Sequence, residues 1–156
     1  MMTASDNPRF DLAERLILGA AAGLAGGVVS GIELAALGRL PLLANLVGSG
    51  SPVIGAAAHL AMCSVSGIVF SLLAYGMFRR MRSLVALGVV YGLLLGELGP
   101  VVLQGSTAPL FSLDWSIGLL LAGHAVFGAA LALTLSLLHR HTLRKPLGVK
   151  EKDLSL

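Results

Sequence analysis

Four ionisable residues, Glu33, His59, Glu97 and His124, stand inside long apolar stretches of this chain. Carboxylates and imidazoles in such a setting have a short list of uses. They can pair across helices as hydrogen-bond partners, each pair worth about 1 kcal/mol. They can pass a proton or bind an ion, the usual reason for an ionisable group at membrane depth. They can also ligate a metal: two Glu and two neutral His suit zinc or another divalent first-row ion. Alternatively, His59 and His124 alone could hold a haem edge-on, with Gly55, Gly67 and Gly128 making room. Cys63 lies one helical turn from His59 and is a weaker candidate as a thiolate ligand. A single Cys in an apolar helix more commonly serves as a small packing residue.

The spacing of the four adds an argument. Glu33 and His59 are 26 positions apart, and Glu97 and His124 are 27. Each Glu lies near the end of its apolar stretch and each His near the start of the next. At 1.5 Å per residue, all four fall about 6 to 14 Å inside one boundary of the membrane. They are therefore expected in one layer, and as one coupled cluster if their side chains converge. The sequence holds no Glu-x-x-His or His-x-x-x-His metal motif, no Walker loop, no Gly-x-Ser-x-Gly elbow and no Cys-x-x-Cys. Nothing argues for covalent catalysis, and a non-enzymatic role is the expectation.

The elements that must carry these residues are membrane spans. The chain has 156 residues, 56% hydrophobic and 12% charged, with a mean hydropathy of +0.88. A chain this short cannot bury so much apolar surface in one aqueous core. About 20 apolar residues cross a bilayer. Four stretches qualify: about 16–37, 53–78, 84–103 and 115–138, followed by a basic tail over 139–156. A charged lead-in precedes the first, and Trp115 suits a membrane interface at the start of the fourth. The connection from Gly38 to Pro52 is too apolar for an ordinary loop and predicts an interfacial turn or short helix. The expected fold is an all-α integral membrane four-helix bundle, one transmembrane domain over 1–156.

Small residues set the expected contacts. Gly19, Gly23, Gly27 and Gly31 recur every fourth position, with Ala22, Gly26 and Ser30 in a second row beside them. Gly88, Gly92 and Gly96 repeat the pattern, and Gly128 follows His124 by one turn. Such rows let helix backbones approach closely in lipid. L-G-A-A-A-G from Leu18 aligns with L-G-V-V-Y-G from Leu87, so the chain reads as two copies of one hairpin entering from the same side. The rows also leave room for a homo-oligomer or a larger membrane complex.

Charge sets the expected orientation. Of eleven Lys and Arg, ten fall in the N-terminal segment, the loop containing Arg79, Arg80 and Arg82, or the tail; the exception is Arg39. Such loops stay in the cytoplasm, which places both termini there. The basic loop and tail should meet anionic lipid. The single Cys excludes a disulfide framework, and an aromatic content of 5% argues against a nucleic-acid stacking surface.

H-L-A-M-C at His59 and H-A-V-F-G at His124, with glycine-rich odd-numbered helices and Pro100 near the end of the third, resemble small uncharacterised four-helix bacterial inner-membrane proteins, a domain-of-unknown-function class. Those proteins carry a His-x-x-x-Gly helix twice. The likeness spans most of the chain through short motifs, and departs at Cys63, where glycine would stand. It implies a cell inner-membrane location and no established activity. Two functions follow as expectations: ion or small-solute handling, or an accessory role, through an interior Glu/His site; and, alternatively, a haem- or metal-binding redox subunit.

Overall fold

The computed structural model describes residues 8–74, 81–103 and 117–144, and every regular element among them is helical. They form α1 (Pro8–Ala36), α2 (Leu40–Ala44), α3 (Pro52–Leu73), α4 (Met81–Leu103) and α5 (Ile117–Arg144), with a 3-10 turn at Asn45–Val47. Four of these helices are long and apolar enough to cross a membrane: Leu12–Ala36, Pro52–Leu73, Met81–Leu98 and Gly118–His139. Between 22% and 33% of each span is buried within the bundle. The remaining face carries residues such as Ile17, Ile32, Val65, Leu73 and Val90, all exposed. An apolar exterior of this extent is what lipid solvates, and the chain is a polytopic membrane protein.

The helix ends follow local chemistry. The charged lead-in joins the first span in one helix. α1 therefore begins eight residues before Leu16. It ends at Gly38, whose φ of 64° only glycine adopts cheaply. There the Arg39 N–H donates to the Leu34 carbonyl at 2.9 Å and the Gly38 N–H to Ala35 at 3.0 Å, the paired bonds of a Schellman stop. Gly48, with φ 71°, stops the 3-10 turn by the same pair of bonds, Ser49 to Ala44 and Gly48 to Asn45. Pro52 opens α3, where its missing N–H costs nothing. At the other end of the chain, α5 runs six residues past Leu138, so the first part of the basic tail is helical. Residues 75–78 of the expected second span and Trp115 lie outside the described residues.

The segment after Gly38 becomes a short helix docked on α3. Gly55 lies under the Leu40 carbonyl, too close for any side chain at that position, and Ala44 is fully buried.

The four long helices pack through seams of glycine. α1 lies antiparallel to α3: Gly19 meets Gly67 and Ser71, Gly23 meets the Cys63 carbonyl, and Gly27 meets the Cys63 side chain. α4 lies antiparallel to α5 in the same way: Gly88 meets Gly128 and Ala132, Gly92 meets the His124 carbonyl, and Gly96 meets the His124 ring. The second row of α1 faces α5, with Gly26 against Phe127 and Leu131 and Ala22 buried. α3 and α4 meet where Tyr91 donates its hydroxyl to the Ser66 carbonyl at 2.9 Å and stacks obliquely on Phe70, ring centroids 5.2 Å apart. The large core side chains, Phe70, Leu84, Leu131 and Leu135, gather toward the end where α1 begins. Glu33, His59 and His124 lie toward the other end.

These contacts define the repeat. Gly19, Gly23 and Gly27 correspond to Gly88, Gly92 and Gly96, each 69 positions on. On the return helices, Leu60, Cys63 and Gly67 correspond to Leu121, His124 and Gly128, each 61 positions on. The structural counterpart of His124 is therefore Cys63, and the counterpart of His59 is Leu120. The similar Glu-to-His intervals do not reflect equivalent positions: on the 69-residue offset Glu97 corresponds to Val28. The halves are alike in backbone packing and unlike in where they carry polar groups.

Candidate functional site

His59 sits in the α1–α3 seam. Its Nε2 lies 3.0 Å from the Gly27 carbonyl oxygen. A carbonyl only accepts, so Nε2 carries the proton. Ser30 Oγ, 3.2 Å from the same nitrogen, accepts a share of that N–H while its own hydroxyl donates to Gly26 at 3.3 Å or Gly27 at 3.4 Å. Nδ1 is left as the acceptor nitrogen, and Cys63 Sγ lies 3.6 Å from Nε2 and 3.9 Å from Nδ1. The ring lies beside Gly31, where an added side-chain carbon would meet Cδ2 at 3.4 Å and Nε2 at 3.6 Å, ordinary van der Waals contact. His59, Ser30 and Cys63 thus form one polar cluster inside an apolar seam.

His124 sits in the α4–α5 seam against Gly96. Its Nδ1 donates to the Leu120 carbonyl of its own helix at 2.9 Å, which leaves Nε2 as the acceptor. Glu33 sits in the α1–α5 seam. Its half-buried carboxylate lies over Gly123, with Oε2 2.7 Å from where a side-chain carbon would begin. A side chain at 123 would make that carboxylate shift from its contact. Glu97 follows Gly96 but is exposed on the bundle exterior.

The four residues share a layer, since His59 meets Gly31, Glu33 meets Gly123, and Glu97 follows the glycine that meets His124. Within that layer they are distributed round the bundle. His59, Glu33 and His124 each occupy a different seam, and Glu97 faces outward. Among the described residues, no group of three or more His, Cys, Asp or Glu side chains is placed to hold a metal ion. The two imidazoles stand in separate seams. Each is inserted between a different pair of helices and spends one nitrogen on a backbone carbonyl.

The sequence pointed to the ionisable residues but not to their surroundings. Ser30 was legible only as a small residue and Gly31 only as spacing, while Gly123 and Tyr91 carried no signal. Ser30, three positions after Gly27 and three before Glu33, was the available clue to the His59 cluster.

The chain matches no family model, no curated protein and no solved structure.

Proposed function

We propose that this is a non-enzymatic multi-pass protein of a cell inner membrane, with both termini in the cytoplasm. Its polar layer handles a small ion or solute, alone or as the accessory subunit of a larger complex. Glu33 is the observation that carries this reading. A carboxylate in a helix seam is expensive, and packing alone gives no reason for it. A glycine opposite, rather than an alanine, opens the seam for it. His124, next in sequence to that glycine, supplies a second titratable group one position round α5. The positive-inside charge count supports the orientation, which would open this layer toward the outer side. Anionic lipid around the basic loop and tail remains the expected environment.

Proteoliposomes holding a pH-sensitive dye test the reading. Under an imposed potential, wild-type vesicles should carry protons or a screened cation faster than empty ones, and Glu33→Gln should fall to the empty-vesicle rate with unchanged melting. Equal flux through wild-type, Glu33→Gln and empty vesicles would remove ion handling and leave the accessory role.

A further inference from the structure

We propose that the outward face of α4 is a dimer interface. Two copies of this chain pair there in parallel, about a two-fold axis along the membrane normal, and the Glu97 carboxyl of each hydrogen-bonds to Glu97 of the other. This interface is separate from Glu33 and independent of ion transport.

Glu97 is out of place on the bundle exterior. Among the described residues of the four spans, every exposed position is apolar or glycine except Arg82, near the start of α4, and Glu97. Arg82 stands at a helix end, where a long side chain can reach the headgroups. Glu97 has no such exit. It lies well inside α4, which continues past it as L-G-P-V-V-L to Leu103, about 9 Å of apolar helix. Lipid tails offer a carboxyl no hydrogen bond, so leaving it among them is costly in either protonation state. Among the described residues, no side chain or carbonyl pairs with it.

The face that carries it is shaped for another helix. Gly88, Gly92 and Gly96 turn toward α5, and Tyr91 toward α3. At 3.6 residues per turn, Val90, Leu94 and Glu97 lie about 140° to 200° round α4 from Gly92, on the side away from that seam. Val90 is 53% exposed and Leu94 55%. Ser83, Val90 and Glu97 recur at every seventh position, with exposed Ala86 and Leu94 between them. That spacing lets one helix follow another along its length at a shallow crossing angle.

Symmetry and chemistry select a second copy as the occupant. Chains of one sequence insert in one orientation, so a two-fold axis along the membrane normal sets Glu97 against Glu97 at equal depth. A protonated carboxyl donates through its O–H and accepts at its other oxygen. Two of them therefore close on each other with two hydrogen bonds, or with one when a single proton is shared. The exposed faces of α1, α3 and α5 within the spans hold no polar side chain among the described residues. Docking α4 on any of those faces would leave the carboxyls unpaired, and pairing α4 with α4 satisfies both. The glycine rows play no part, being used inside each chain.

Full-length chains labelled with a donor or an acceptor fluorophore after Leu156 are mixed in phosphatidylcholine vesicles and diluted with lipid. Energy transfer should persist in the wild type and in Glu97→Gln, whose amide also donates and accepts. Glu97→Leu should associate about 5- to 30-fold more weakly at unchanged helix content. Leu94→Cys, on the proposed interface, should cross-link between chains under an oxidant, and Val65→Cys, exposed on α3, should not. Wild-type transfer that falls on dilution as steeply as that of Glu97→Leu would overturn the dimer and leave the face to a partner of another sequence. Equal association of Glu97→Leu and wild type would overturn the carboxyl pair. Cross-linking as strong at Val65→Cys as at Leu94→Cys would overturn the α4 interface. The cross-link leaves Glu97 intact, so it decides the matter even where a Glu97 variant fails to fold.

Discussion

At the scale of single residues, what holds the polar groups of this bundle is mostly backbone. His59 bonds to the Gly27 carbonyl, His124 to Leu120, Tyr91 to Ser66 and Ser71 to Arg15. An ionisable residue in an apolar run is visible in a sequence because its cost in lipid is high wherever it points. Its partner is invisible when that partner is a carbonyl, since every residue has one. Which carbonyls are reachable depends on where the neighbouring helix omits a side chain. Glu33 and Glu97 make the same point: equal in type and near-equal in depth, they differ by which face of the helix they occupy. Tyr91 gives the cleanest test at this scale. Its hydroxyl bond joins α4 to α3, while its ring contact with Phe70 survives removal of the oxygen. Tyr91→Phe should cost about 0.6 kcal/mol and no more than about 1.7, the average and the maximum for interhelical hydrogen bonds in a membrane. Unfolding in mixed micelles reads this directly, and an unchanged midpoint would assign the bond no net value.

At the scale of helices, the glycine rows are contact surfaces rather than flexible points. The seams pair α1 with α3 and α4 with α5 through backbone, and a carbon added at Gly23 or Gly92 would run into the Cys63 or His124 carbonyl. A carbonyl in a helix cannot turn aside as a side-chain tip can, so the helices themselves must separate. Gly23→Ala and Gly92→Ala should each lower stability, and Gly23→Leu and Gly92→Leu should do so further, by about 1 to 3 kcal/mol or more. Gly118→Ala is the control: nothing lies within 4 Å of its added carbon, so stability should hold or rise slightly. Equal melting of Gly23→Ala, Gly92→Ala and Gly118→Ala would mean that the seams yield without cost. The rows were legible because a four-residue spacing maps directly onto a helix face. The register of the return helices was not, because the two hairpins have different connections, one of them containing α2. A repeat aligned on its first helices then slips by a turn on its second, so the similar spacing of His59 and His124 does not mark equivalent positions.

At the scale of the whole molecule, the packing leaves the direction of insertion open, and charge decides it. α1 and α4 run one way, α3 and α5 the other, so the start of α1, the end of α3, the start of α4 and the end of α5 share one side. In sequence, ten of the eleven Lys and Arg fall in or next to those helix ends, and the short α1–α3 connection on the opposite side holds only Arg39. Basic residues in short flanking segments resist translocation, so that side should face the cytoplasm. A reporter active only in the cytoplasm should work when fused after Leu156. One active only outside should work when inserted at Gly50, in an exposed connection with nothing near its α-carbon. Replacing Arg79, Arg80 and Arg82 together by Gln removes three of the ten basic residues and should yield a mixed population, since the middle loop is one of three votes rather than the sole one. Outside activity from the Leu156 fusion in the wild type would invert the molecule. The layer holding Glu33, His59 and His124 would then open to the cytoplasm, and any ion it handles would arrive from the cell interior.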